Sequence, residues 1–294
     1  RFKRAIRILG YRGSDDQYWR RVSIPFSILG KKKTMLELPI RAEERGVTKI
    51  SHIDYVFPHL FNFQTVKLSF TDSYQTEVLV FPKLIPVHGL ETAFQMTPGS
   101  QRITFSPFED VQSPLGTKDY SFSDPFHRIN WKASVKTQRL QTNVYEKVVD
   151  QTFLLIVNIG DQPSEGMEDL LSYTAYLTQT ITEKGFPFEV YLNARKPGNI
   201  PFVHVPEGEG KLHYRYTLDM LARIERHSLS VSFSHMLHRV GQQLVKPKTI
   251  IVVGDISEAS SQIIGKWEQG QHHIFHIDQT KDGALLKPWM QQVK

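Results

Sequence analysis

Residues 1–118 alternate apolar and polar side chains in short runs, a pattern typical of half-buried β-strands. Gly30-Lys31-Lys32-Lys33 separates the first two runs, which predicts a hairpin. Pro residues interrupt the remaining segments too often for helices. We therefore expect an antiparallel, Ig-like β-sandwich, incomplete at its N-terminal side. The alternating runs are Val22 to Ile28, Leu36 to Ile40, Val66 to Phe70 and Val78 to Val80.

From residue 151 onward the pattern changes to continuous apolar runs separated by helical periodicity. Phe153 to Val157 and Ile250 to Val253 are fully apolar, as expected of strands buried on both faces of a sheet. We expect residues 151–294 to form a three-layer α/β domain of Rossmann type around a parallel sheet. Two further strands are predicted at 188–192 and 274–277, helices at 167–181, 218–224, 236–244 and 257–269, a loop at 195–215 and a helix at the C-terminus.

Residues 119–150 lie between these regions and combine charged, amide and aromatic side chains. Asp124-Pro125 is a helix-start signal, because Asp caps free N–H groups and Pro needs no donor at the first helical position. Phe126, Ile129 and Ala133 then recur at helical spacing, which predicts one buried face. The pattern becomes period two after Lys136. We expect a short helix and a strand that join the two domains.

Composition and charge exclude or disfavour several classes of protein. The chain of 294 residues has no cysteine, so disulfides, thiolate metal sites and cysteine nucleophiles are excluded. No apolar run is long enough to cross a bilayer. Residues 1–50 carry thirteen Lys or Arg against five Asp or Glu, and 13 − 5 = +8, while the remainder carries 6 − 8 = −2. A basic block before a near-neutral body does not favour nucleic-acid binding. Because the chain starts at Arg1 and not at a Met, we expect a fragment, which leaves a membrane anchor upstream as an open alternative.

The central stretch resembles the signature of the DUF58 family of bacterial proteins. Flanking segments look like that family's β-rich region, and the part after residue 151 is similar to a von Willebrand factor A domain. The residues that carry the resemblance are Asp124, Arg128-Ile129-Asn130-Trp131-Lys132-Ala133-Ser134, Leu140 and Glu146, with Arg45-Gly46-Val47 and Val78 to Pro82 upstream.

The chain departs from this signature at several positions. Phe122-Ser123 stand where the family has Pro-Gly, and Val135-Lys136 where it has Ala-Arg. His127 stands where the family has an Arg, so an imidazole replaces a planar guanidinium that can bind a partner through two donors. We expect this change to weaken any partner contact made at that position.

The resemblance implies a non-enzymatic adaptor on the cytoplasmic face of the cell membrane. Proteins of the DUF58 family commonly sit beside a MoxR-type AAA+ ATPase and often a transglutaminase-like membrane protein, and they carry N-terminal membrane helices. In this interpretation there are no catalytic residues, and Trp131 is a packing anchor. The interaction residues are Asp124, His127, Arg128, Asn130, Trp131, Lys132 and Ser134.

Resemblance to a von Willebrand A domain also raises the question of a metal site. Such domains hold a divalent cation with Asp-x-Ser-x-Ser after the first strand, and the corresponding positions here are Asn158, Gly160 and Gln162. Asp255 matches a later Asp of that site, and Asp161 lies nearby. No cofactor is expected, with a remodelled site for Mg²⁺ or Ca²⁺ as the alternative. A third option is an enzyme whose residues are dispersed around Asp124, His127 and Arg128.

Overall fold

The computed structural model describes residues 6–9, 13–15, 20–27, 33, 35–49, 52–58, 64–71, 77–95, 109–122, 124–147, 151–160, 166–198, 200–225, 228–270, 272–280 and 283–289. Over these residues the chain is mixed α/β, with six α-helices and a seven-stranded mixed sheet. It divides into two compact units, which we call the α/β unit (residues 1–88 and 153–294) and the motif unit (residues 89–152). The boundaries predicted after residues 118 and 150 stay a prediction.

The described secondary structure before residue 81 consists of short antiparallel strand pairs. β1 pairs with β4, β2 with β3, β5 with β8, and β6 with β7. Within the described residues the strands are β1 (Ile6–Ile8), β2 (Gly13–Asp15), β3 (Arg20–Val22), β4 (Ile40–Ala42), β5 (Gly46–Lys49), β6 (His52–Pro58), β7 (Thr65–Thr71), β8 (Glu77–Val80) and β9 (Val87–His88). The Ig-like sandwich stays a prediction.

The predicted hairpin between the first two alternating runs is wrong. The strand β3 ends at Val22, and residues 23–27 are not in a strand. Pro25 has no N–H to give to a strand ladder, which disfavours continued pairing. Residues 36–39 are also outside strands, and Ile40 begins β4, whose partner is β1. The runs at 66–70 and 78–80 are confirmed as strands, in β7 and β8.

Among its described residues, the motif unit contains one strand pair and short helices. Its elements are α1 (Leu90–Gln95), β10 (Glu109–Asp119), a 3₁₀-helix (Phe126–Arg128), α2 (Trp131–Thr137) and β11 (Gln141–Lys147). The strands β10 and β11 pair antiparallel, with Asp119 opposite Gln141. The predicted short helix followed by a strand is confirmed as α2 and β11.

The seven-stranded sheet is built mainly from residues 153–288. Its order is β14-β13-β12-β15-β16-β17-β9. The four central strands are parallel, while β14 and β17 run antiparallel to their neighbours. The remaining elements are β12 (Phe153–Val157), α3 (Met167–Glu183), β13 (Phe188–Arg195), β14 (Phe202–Gly208), α4 (Gly210–Arg223), α5 (Phe233–Gly241), β15 (Thr249–Val253), α6 (Glu258–Gln269), β16 (His273–Thr280) and β17 (Gly283–Pro288).

The parallel-sheet prediction is right for the centre of this sheet and wrong for its edges. The predicted loop at 195–215 contains β14 and the start of α4, because Phe202 and Val205 are buried despite the Pro and Gly residues around them. The predicted terminal helix is replaced by β17 over 283–288, and residues 290–294 lie outside the described part. None of the described helices is both long and apolar enough to cross a membrane.

The core of the α/β unit follows from the strictly apolar central strands. All five residues of β12 and of β15 are buried. Alternate residues of these strands, such as Leu154 and Ile250, pack in one cluster with residues of α5 and α6. The helix α3 contacts α4 and the strand β12. Burial of a Leu or Ile side chain stabilises by about 1.5–3 kcal/mol, so this sheet provides the framework of the unit.

Arg45 connects the N-terminal strands to the helices of the α/β unit. Its side chain is only 4% exposed. Nε and Nη2 donate to the two carboxylate oxygens of Glu168, at 2.9 and 3.0 Å, in the first turn of α3. Nη1 donates to backbone carbonyl oxygens at the end of α4, including that of Leu221 at 2.8 Å. A cation suits a helix C-terminus, where carbonyl groups lack partners.

A second contact between the same regions is exposed. Arg223, in the last turn of α4, donates to Asp219 and to Glu77 on β8. The strands β5 and β8 both contact α4. Because Arg223 is 41% exposed, its ion pairs are screened by solvent and are worth far less than those of Arg45.

Replacing Arg45 by Met should therefore destabilise the chain strongly. Glu168 and the carbonyl groups of α4 would lose their donor, and we expect the free energy of unfolding to fall by about 3 kcal/mol. Urea denaturation followed by circular dichroism measures this change. Arg223→Met is the matched control, with an expected loss below about 1 kcal/mol. Equal losses in the two variants would contradict this role of Arg45.

Candidate functional site

The signature motif does not begin its helix where the sequence predicted. Asp124 is not a helix cap: its carboxylate accepts from the Ser121 backbone N–H at 3.0 Å and pairs with Lys118 at 2.8 Å. Asn130 caps α2 instead, and its side-chain oxygen accepts from the Ala133 N–H at 3.0 Å. The signal at Asp124-Pro125 produces only a single 3₁₀ turn. The H-bonds to the carboxylate, from Lys118 first and then Ser121, hold the pKa of Asp124 below its usual value.

The polar residues of the motif bind one another. Asn130 donates through Nδ2 to Asn143 Oδ1 at 2.8 Å. Ser134 is buried, donates to the Asn130 carbonyl at 2.8 Å and accepts from the Gln141 N–H at 2.8 Å. These bonds attach α2 to β11. Asn130 and Ser134 therefore stabilise the motif internally.

The aromatic residues of the motif face outward. Phe126 is 68% exposed and Trp131 is 59% exposed, so the prediction that Trp131 is a packing anchor is wrong. The predicted common face of Phe126 with Ile129 and Ala133 is also wrong, because the helix is interrupted at Ile129. There the chain makes a β-bridge to Thr142, and the bridge buries Ile129 while leaving Phe126 outside.

The exposed rings of Phe126 and Trp131 contact each other, and Phe126 also contacts the half-buried ring of Tyr120. The ring centroids of Phe126 and Trp131 are 6.2 Å apart and meet edge to face, and those of Tyr120 and Phe126 are 6.4 Å apart. Val135, one helical turn after Trp131, is 80% exposed. We call Tyr120, Phe126, Trp131 and Val135 the motif face. Exposed aromatic clusters of this kind are typical of interaction sites.

Cationic residues adjoin the motif face. Lys132 and Lys136 are exposed on α2, which contains no acidic residue. His127, the departure from the family signature, is also exposed, and Arg128 is half-buried. Of the predicted interaction residues, the structure thus places Trp131, Lys132 and His127 at the surface, and it uses Asp124, Asn130 and Ser134 for internal bonds.

The predicted metal positions lie at the carboxyl ends of the parallel strands. Asn158, directly after β12, accepts through Oδ1 from the Gly160 N–H at 3.0 Å and from Asn193 Nδ2 at 2.9 Å. Its own Nδ2 donates to the Asp255 carbonyl at 2.6 Å. Asn193 Oδ1 accepts from the Ile159 N–H at 2.8 Å. Gln162 and Asp161 lie outside the described residues.

This amide cluster occupies the place where α/β sheets usually bind ligands. The crevice at the switch in strand order, here between β12 and β15, is the usual position. Gly254 has a φ of 101°, and a Cβ there would lie 2.2 Å from the Asn158 carbonyl oxygen. The two strand ends therefore touch through their backbones, and Asn158 binds them together. Among the described residues, no group of three or more His, Asp or Glu side chains converges to hold a metal ion.

A charged cluster that the sequence interpretation missed lies at the opposite end of the sheet. Glu189 Oε1 accepts from Tyr191 and lies 2.8 Å from His204 Nε2, while its Oε2 accepts from Lys248 at 2.7 Å. Lys248 also donates to Glu207 at 2.8 Å. Glu189 and His204 meet only because β14 pairs with β13, and β14 was predicted as a loop. Each of these groups has a partner within the cluster, so we assign the cluster a structural role.

Electrostatics in this cluster favours the ionised carboxylate. Burial by itself would raise the pKa of Glu189, but hydrogen bonds from His204, Lys248 and Tyr191 outweigh burial and lower the pKa to about 2. Burial and the neighbouring Glu189 raise the pKa of Tyr191, which remains a neutral donor. Burial would lower the pKa of Lys248, and the two carboxylates hold it above its usual value.

Comparison of the chain with protein-family models, with curated proteins and with solved structures found no match. The resemblance to the DUF58 family and to von Willebrand A domains therefore rests on the motif residues alone.

Restoring a carboxylate at the predicted metal position should destabilise the α/β unit. Asn158→Asp replaces the donor to the Asp255 carbonyl by an acceptor, and we expect a loss of about 2 kcal/mol in the free energy of unfolding at pH 7. Urea denaturation measures the loss. The wild-type melting temperature should be unchanged by millimolar Mg²⁺ or Ca²⁺, since a bound ion would raise it. An ion-dependent rise in wild type would support the alternative metal site.

The Glu189 cluster should make stability depend on acid pH. The folded-state pKa of about 2 is below the ordinary value of 4.5, so this contribution is present above about pH 4.5 and is lost as the pH falls toward 2. Glu189→Gln removes the titrating group and should flatten the decline in that window. Urea midpoints between pH 6 and pH 3 measure the difference. Parallel curves for wild type and variant would show that Glu189 is not responsible.

Proposed function

We propose that this chain is a non-enzymatic protein-interaction module and that a partner protein binds at the motif face. The observation that carries the proposal is the division of the signature motif into two sets of residues. Asn130 and Ser134 hold the motif together from within, whereas Phe126 and Trp131 are left in water. Exposed large rings cost solvation free energy unless a partner covers them.

The fold agrees with a binding role at this surface and not at the sheet. Ligands of α/β proteins usually bind at the carboxyl ends of the strands, and here the side chain of Asn158 is engaged by the Gly160 N–H, Asn193 and the Asp255 carbonyl. The polar groups of Asn158 and Asn193 already bind each other. We propose that residues 151–294 form a von Willebrand A-like domain of Rossmann type in which an amide cluster replaces the ion. The strand pairs before residue 88 would belong to an Ig-like sandwich.

As partner we propose a MoxR-type AAA+ ATPase, which the resemblance to the DUF58 family implies. A transglutaminase-like membrane protein is the second partner expected from the same resemblance. The module would act at the cytoplasmic face of the membrane and couple the ATPase to its substrates. The basic block in residues 1–50 supports this location, because a net charge of 13 − 5 = +8 attracts anionic lipid.

Trp131→Ala tests the proposed function directly. We expect the affinity for the MoxR-type ATPase to fall by about 30-fold, equivalent to ~2 kcal/mol, because buried Trp residues are frequent hot spots in interfaces. The free energy of unfolding should change by less than about 1 kcal/mol, since Trp131 is exposed. Calorimetry with purified ATPase, in the presence and absence of ATP, measures the affinity.

Leu212→Ala is the matched control for this experiment. Leu212 is also an exposed apolar residue, at 86%, but it lies on α4 of the α/β unit. This variant should bind the ATPase as wild type does. Equal affinity for wild type and Trp131→Ala, or no association of wild type with the ATPase under either nucleotide condition, would overturn the proposal.

A further inference from the structure

We infer that the motif face binds an acidic amphipathic helix of its partner protein. The inference rests on the proposed function, because it specifies the chemistry of the segment that would cover Trp131. Three features of the motif unit lead to it: the spacing of the apolar side chains, the excess of positive charge beside them, and the orientation of the aromatic rings.

The first feature is the arrangement of α2 in two parallel stripes. Trp131 and Val135 are four residues apart, and so are Lys132 and Lys136. Side chains at this spacing lie above one another on a helix, so α2 presents an apolar stripe and a cationic stripe side by side. Phe126 extends the apolar stripe beyond the start of α2 through its contact with Trp131. A helix with apolar residues at the same spacing would match this stripe along its length.

The second feature is the charge of the surface. The motif-unit segment 118–140 contains two acidic residues, Asp119 and Asp124, and both are engaged. Asp119 accepts from the Gln141 side chain, and Asp124 pairs with Lys118 and the Ser121 N–H. Lys132 and Lys136 have no acidic neighbour on α2. A partner that carries carboxylates beside its apolar stripe would therefore complement this surface.

The third feature separates a protein helix from single-stranded nucleic acid, which aromatic and basic residues also bind. Bases stack on ring faces presented in succession along a groove. Here the rings of Phe126 and Trp131 meet at 65°, edge to face, and do not offer parallel faces. Val135, which completes the stripe, has no ring. Packing against aliphatic side chains of a helix suits this geometry better than base stacking.

Charge reversal tests the inference. The probe is a synthetic peptide of about 20 residues with Leu at helical spacing and Glu beside it, long enough to form a helix when bound. Binding to the full chain is measured by fluorescence anisotropy at two salt concentrations. Lys132→Glu with Lys136→Glu should weaken binding by about tenfold, and the double Ala variant by less. Raising the salt should weaken wild-type binding.

The matched control reverses two exposed lysines of the α/β unit, Lys211→Glu with Lys266→Glu, for the same change in net charge. This control should bind the peptide as wild type does. An equal loss in the control would show general charge attraction and overturn the inference. Equal binding of a peptide with Lys in place of Glu would also overturn it, as would tighter binding of an oligo-dT probe at Trp131.

The same variants distinguish this inference from the proposed function. If Trp131→Ala abolishes ATPase binding while the Lys132 and Lys136 reversal does not, the partner contact stands and its acidic character is wrong. If the reversal weakens both peptide and ATPase binding and the control does not, the acidic helix is supported. If neither variant affects ATPase binding, both proposals fail.

Discussion

The α/β unit depends on one buried guanidinium. Arg45 binds the carboxylate of Glu168 with two donors and the carbonyl groups at the end of α4 with another. An acidic residue in the first turn of α3 and a cation at the end of α4 are each favoured by the dipole of the helix concerned. A single side chain preceding β5 therefore satisfies two helix ends. The N-terminal strands and the central sheet belong to one unit, and this residue is the buried ionic contact between them.

In the motif unit, side-chain hydrogen bonds attach the short helix α2 to the strand β11. Asn130 caps α2 and binds Asn143, while Ser134 connects α2 to the start of β11. A helix of only about two turns is not stable by itself in water, so these bonds stabilise α2. Because hydrogen bonds attach α2 to β11, Trp131 of α2 and Phe126 of the preceding 3₁₀-helix remain largely exposed. Phe126 and Trp131 are thus available for a partner, which is the basis of the proposed function.

Elements with a periodic apolar pattern were predicted correctly from the sequence. Elements whose position depends on a single residue or on a tertiary contact were not. The apolar runs of β12 and β15 and the periodicity of α3 are confirmed, because burial on both faces or on one stripe leaves a clear pattern. The strand β14 was missed since neighbouring Pro and Gly residues resemble a loop. Because β14 carries His204, the pairing of Glu189 with His204 was also missed. Trp131 was misassigned because a break at Ile129, caused by a tertiary bridge to Thr142, rotates the face of the helix.

The central claim is that function lies at the motif face and not at the carboxyl ends of the sheet. Hydroxyl-radical footprinting of the full chain, with and without the MoxR-type ATPase, tests it most directly by following oxidation of exposed side chains. Phe126 and Trp131 should become protected on binding, while the segments around Asn158 and Asp255 keep their reactivity. Protection around Asn158 and Asp255 with unchanged oxidation of Trp131 would contradict it.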